Sequence, residues 1–80
     1  AGSLSPVRGT TRAAVLFAVI ERPGCSTKEL AHAVGIAPAS ASEHATLLRE
    51  AGLIRTTRRG SAVSHNATSA AVELWETATG

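Results

Sequence analysis

The 80-residue chain is poor in several things that whole classes of protein require. It has one cysteine, Cys25, so no disulfide can form within it, which fits a reducing compartment. Its longest apolar run, Ala13 to Ile20, is far too short to span a bilayer, and no basic-then-apolar leader stands before it. A cytoplasmic, soluble chain is the expectation. Aromatic residues are reduced to Phe17 and Trp75, and methionine and tyrosine are absent, so closely approaching alanine-rich helices must replace bulky filling in the core. The signatures of catalysis are missing as well: there is no glycine-rich phosphate loop, no nucleophile elbow, and no pair of carboxylates near a histidine. Ser42 and His44 lie two apart on a predicted helix, so their side chains diverge and cannot act as nucleophile and base. A lone Cys25 cannot supply the converging ligands of a thiolate site, and it is expected to pack as a small apolar residue. His32, His44 and His65 fall in three separate predicted elements, where structural or surface roles are expected. No enzyme, metal site or cofactor is anticipated.

What the chain does carry is a run of local signals between Ser26 and Gly60. Ser26-Thr27-Lys28-Glu29 reads as a capping box, which starts a helix at about Thr27. Leu30, Ala31 and Val34 follow at helical spacing, and Gly35 is suited to the left-handed stop. Pro38 fits the first turn of a second helix, where its missing N–H costs nothing. Two helices joined by so short a link must cross sharply, which defines a helix-turn-helix. Upstream, a first helix is expected from about Thr11 to Glu21, with a brief capped turn at Ser5-Pro6 before Gly9. Downstream, Thr68 or Ser69 caps a last helix, about Ala70 to Thr77.

The second helix of the pair, Pro38 to Ala51, divides its faces. Ala41, Ala45, Leu48 and Leu47 are read as the core stripe, while Ala39, Ser40, Ser42, Glu43, Thr46 and Arg49 point outward. Short polar side chains let a helix backbone approach base edges in a major groove, although an ordinary solvated face would look the same. Gly52 ends the helix, Leu53 and Ile54 open a strand, and Arg55-Thr56-Thr57-Arg58-Arg59-Gly60-Ser61 turns back into Ala62-Val63-Ser64-His65. Three arginines are thereby expected to crowd a hairpin tip beside the helix. The formal charge is only +2, but seven of the eight basic residues are arginine, the side chain best suited to forked contacts with phosphate.

The stretch GIAPASASEHATLLREAGLIRTTRRGSAV, Gly35 to Val63, resembles the winged-helix core of the ArsR-like bacterial transcriptional regulators. The resemblance rests on Ser42 and His44 in the recognition helix, the Leu47 to Ile54 stop, and the Gly60 wing tip, and it extends more loosely from Arg12 to Trp75. The LREAGLI run is shared with MarR-like and other winged helices. The chain departs from the pattern at Ala37, where a Ser or Thr cap is usual, at Ala45, where Leu is usual, and at His65, which replaces a frequent aromatic. The resemblance implies a mainly α fold with a small β-hairpin: a three-helix core, a two-stranded wing and a C-terminal helix. It also implies a dimer formed through the first and last helices, and binding of operator DNA by recognition helix and wing. Metal-sensing members of that group carry a Cys-x-Cys or paired Asp and His groups on the last helix, and neither is present here.

The expected organisation is a tail over residues 1–9, of which 1–3 resemble a residual expression linker, and a winged-helix domain over 10–80 that ends as if cut from a longer regulator. For a dimeric repressor, the candidate DNA-binding residues are Pro38, Ala39, Ser40, Ser42, Glu43, Thr46, Arg49, Arg55, Arg58 and Arg59. Phe17, Leu74 and Trp75 would be divided between the core and a homodimer contact. Packing all three within one subunit is the alternative. A protein-interaction or dimerisation module of a larger protein is the other functional class that this pattern allows.

Overall fold

The computed structural model describes the backbone of residues 4–79 and the side chains of residues 11–77. Six elements follow in order: α1 (Leu4–Glu21), α2 (Thr27–Val34), α3 (Pro38–Glu50), β1 (Ile54–Arg59), β2 (Ala62–Ala67) and α4 (Ser69–Thr79). The expected winged helix-turn-helix is thus formed. α1 begins earlier than the Thr11 start that the apolar spacing suggests, absorbing the separate turn at Ser5-Pro6 and running through the position read as the end of the tail. Pro6 falls in its first turn, where a missing N–H is harmless, and a single helical glycine at position 9 costs only about 1 kcal/mol. Residues 1–3 lie outside the described residues.

The helix-turn-helix forms as its local chemistry requires. The Ser26 hydroxyl accepts from the Glu29 amide at 3.0 Å, and the Ser26 amide donates to the Glu29 carboxylate at 2.9 Å, so the capping box is closed on both sides. Gly35 stops α2 in the left-handed region at φ 82°, and the amides of Gly35 and Ile36 both donate to the Ala31 carbonyl. α3 starts on Ala37 with no side-chain cap, and Pro38 stands in its opening turn. At the other end Gly52 donates to the Arg49 carbonyl and Leu53 to that of Leu48, a Schellman stop that needs a positive φ at Gly52.

One core unites these elements. Val15, Leu16, Ala18 and Val19 of α1 pack with Leu30 and Ala31 of α2, Ala41, Ala45 and Leu48 of α3, Ile54 of β1 and Ala71 of α4. Alanines face the centre on several helices, which is how a chain with two aromatics brings its backbones close. Leu47 does not join them. It is 45% exposed, a correction to the core stripe read from sequence. The reason is rotational: Ala41, Ala45 and Leu48 share one face at i, i+4 and i+7, and Leu47 lies about 100° round the helix from Leu48.

The hairpin is antiparallel, with Ile54 opposite Ala67, Thr56 opposite His65 and Arg59 opposite Ala62. Gly60 and Ser61 make a two-residue turn in which Gly60 alone takes positive φ, the pattern of the type II′ hairpin. β2 also pairs with the segment before α2: the His65 amide donates to the Cys25 carbonyl at 2.8 Å, and the Gly24 amide donates to the His65 carbonyl at 2.9 Å. Thr68 ties the far end of the hairpin down. Its hydroxyl donates to the Gly52 carbonyl at 2.8 Å and accepts from the Ala71 amide, capping α4 while gripping the loop after α3. Among the described residues no helix is long and apolar enough to cross a membrane.

Candidate nucleic-acid interface

α3 turns Ala41, Ala45 and Leu48 inward, so its opposite face is free. Pro38, Ala39, Ser42, Glu43 and Arg49 are exposed there, while Ser40 and Thr46 are half-buried at its margins. The Thr46 hydroxyl donates to the Ser42 carbonyl one turn back at 2.9 Å, so its remaining capacity is to accept. Ser42, Glu43, Thr46, Leu47 and Glu50 line a shallow depression of about 400 Å³ on this face. Leu47 and Glu50 are the members that the sequence reading missed. Glu50 follows Glu43 by seven residues, two helical turns, and that spacing alone would have put both on one face.

The basic hairpin differs from the expected tip of three arginines. Arg58 and Arg59 flank the Gly60-Ser61 turn, but Arg55 pairs opposite Asn66, near the base. Strand alternation separates them further: Arg58 shares a face with Thr56 and Ile54, whereas Arg55 and Arg59 share the other. All three are exposed. The wing therefore presents cations on both faces and along its length. Arg49, in the last turn of α3, is exposed and contributes, after burial, to disfavouring a charge on the His65 ring.

The three histidines occupy three different environments: His32 is exposed on α2, His44 is half-buried on α3, and His65 is buried at 3% exposure. Among the described residues no cluster of histidine, cysteine and carboxylate groups fits a metal ion. His65 is instead held between two hydroxyls, with Nε2 2.8 Å from Thr27 Oγ1 and Nδ1 3.0 Å from Thr56 Oγ1. Cys25 is buried beside it as a free thiol, and burial, with help from Glu29, pushes its pKa up, so the thiol form is favoured. Burial, and secondarily Arg49, pushes the His65 pKa below its ordinary 6.5. The unfolded chain then takes up a proton near pH 6.5 that the folded chain takes up only at lower pH, so this contribution to stability is complete above about 6.5 and is lost as pH falls below it. Thermal unfolding followed by circular dichroism should show a lower midpoint at pH 5 than at pH 7.5. The difference should shrink in His65→Phe, and an unchanged difference would remove His65 as its source.

Phe17 and Trp75 stack with ring centroids 5.1 Å apart and planes 27° apart, joining α1 to α4. Phe17 nevertheless stays 41% exposed, and Val72 and Leu74 are exposed at 37% and 51%.

A helix-turn-helix followed by an antiparallel wing and a closing helix defines the winged-helix class of domains. Within that class the chain belongs to the MarR family, whose model matches residues 7–62. Regulators of this family are non-enzymatic. No curated protein matches the chain. Among solved structures it is similar to BpsR of Bordetella bronchiseptica, whose DNA binding is regulated by 6-hydroxynicotinic acid (21% identity, TM-score 0.78, 84% of this chain and 50% of that one). It is similar also to ZitR of Lactococcus lactis (27%, TM-score 0.73, 86% and 49%) and to NolR of Sinorhizobium fredii (20%, TM-score 0.78, 98% and 78%). The chain spans about half the length of BpsR and ZitR. The family match is to MarR, and it gives the ArsR-like resemblance no support. The Leu47 to Ile54 stretch that carried much of that resemblance combines a core leucine, a Schellman stop and a strand start, a joint that any winged helix needs.

Proposed function

We propose that this chain is the sequence-specific DNA-binding domain of a bacterial transcriptional repressor, reading the major groove with α3 and the backbone or minor groove with the 55–65 wing. The observation that carries the reading is the free outer face of α3, small and polar over its first two turns, with an exposed arginine-bearing hairpin whose first strand packs against the same helix. Pro38 and Ala39 keep the start of the helix slim for close approach. Ser40, Ser42 and Thr46 offer hydroxyls to base edges, and Glu43 offers an acceptor for a cytosine amine. Leu47 adds an apolar surface suited to a thymine methyl. Arg49, Arg55, Arg58 and Arg59 neutralise phosphates. Dimerisation would use the outer helices, where Phe17, Leu74 and Val72 leave apolar surface exposed and Trp75 stacks beneath it.

That same apolar surface, together with the Glu43 and Glu50 carboxylates on α3, favours the second reading, a protein-interaction or dimerisation module. An NMR titration with a mixed-sequence duplex at two salt concentrations separates the two. Shifts gathered on residues 38–49 and 55–61 that weaken at higher salt are expected. No shifts there, or salt-independent shifts confined to α1 and α4, would overturn the DNA-binding reading.

A further inference from the structure

A two-stranded hairpin is barely stable by itself, so its direction relative to the rest of the domain is set by whatever grips its base. Here that grip combines Ile54 in the core with a set of buried polar contacts. His65 sits opposite Thr56 in the hairpin register, and its ring spans from the Thr56 hydroxyl on β1 to the hydroxyl of Thr27, the first residue of α2. Its backbone meanwhile pairs with Cys25 and Gly24. One buried side chain thus joins both wing strands to the start of the helix-turn-helix. Neutral imidazole donates from one nitrogen and accepts at the other, so one threonine accepts while the other donates, and both ring nitrogens are satisfied. An apolar ring would fill the same space without fixing its rotation.

We propose that His65, with Thr27 and Thr56, is the latch that sets the angle of the wing, and that it is a positioning residue for the wing arginines. This rests on the DNA-binding reading only for its consequence, not for its geometry. From Thr56 to Gly60 the strand extends about 13 Å at 3.3 Å per residue, so a tilt of about 15° at the latch displaces the tip by about 3 Å. That exceeds the tolerance of a hydrogen bond to phosphate. Loosening the latch therefore uncouples Arg58 and Arg59 from a duplex held by α3, although neither arginine is altered.

The test uses Thr27→Val, Thr56→Val and His65→Phe, with Thr56→Ser as the variant that keeps a hydroxyl. Residual dipolar couplings of the DNA-free chain should show the parent wing at one fixed angle to α2, averaging in the valine and phenylalanine variants, and restored in Thr56→Ser. On a duplex selected from a random pool, Thr56→Val should bind at least fivefold more weakly. Its slope of log affinity against log salt should be shallower by about one to two, and little should be added by combining it with the Arg58→Ala, Arg59→Ala pair. A merely structural role would lower the melting temperature and leave couplings and salt slope as in the parent, and that result overturns the latch. If the parent bound no duplex, the DNA-binding reading would fail while the couplings still decided the latch.

Discussion

Replacing Arg58 and Arg59 together with alanine is expected to weaken binding to every duplex alike and to reduce the slope of log affinity against log salt by about 1.8, the share of two phosphates at about 0.9 each. Both side chains are exposed beside the Gly60-Ser61 turn, on opposite faces of β1, so their loss should leave the fold unchanged. Sequence preference should survive, because it would reside in α3. Substitution of Ser40 or Glu43 should do the reverse, shifting preference among duplexes while the salt slope stays near that of the parent. Fluorescence anisotropy over a series of salt concentrations measures both quantities. A double arginine variant with the parental slope would detach the tip of the wing from any role in binding.

Leu30→Ala should be the most damaging single truncation in the domain. Leu30 is among the largest side chains with no exposure, and it lies on α2 in the core shared with α1 and α3. Cavity-forming substitutions of this kind cost about 2–5 kcal/mol. A domain of this size has only about 4–12 kcal/mol in total at 0.05–0.15 kcal/mol per residue. The melting temperature should fall by about 8–40 °C, since each kcal/mol moves it by roughly 4–8 °C at this length. Leu47→Ala is the informative contrast. At 45% exposure it should change stability by less than about 0.5 kcal/mol, and a large loss would mean that Leu47 is packed after all.

The parts of the fold that were legible in the sequence are those decided within a few residues. The capping box at Ser26, the glycine stops at Gly35 and Gly52, Pro38 in the opening turn of α3 and the glycine turn at Gly60 each rest on local backbone chemistry, and each is present. What escaped depends on rotation or on distant partners. Leu47 reads as inward from the row beside the stripe, yet a rotation of about 100° from Leu48 leaves it 45% exposed. Arg55 was grouped with the tip because it is near in sequence, but the strand carries it back to the base. His65 was read only as a structural or surface residue. Its hydroxyl partners lie 38 and 9 residues away, and no periodicity announces a contact of that kind. For the candidate interface, the composition of the outer α3 face was readable, while its second carboxylate, Glu50, was missed.

The stacking of Phe17 on Trp75 gives the molecule a built-in optical reporter. Trp75 is the sole indole in the chain, and it stands on α4 stacked against Phe17 of α1, where the outer helices meet. Its emission should therefore register a partner settling over α1 and α4, or the parting of those helices. A change at the outer-helix junction can thus be followed without attaching a dye.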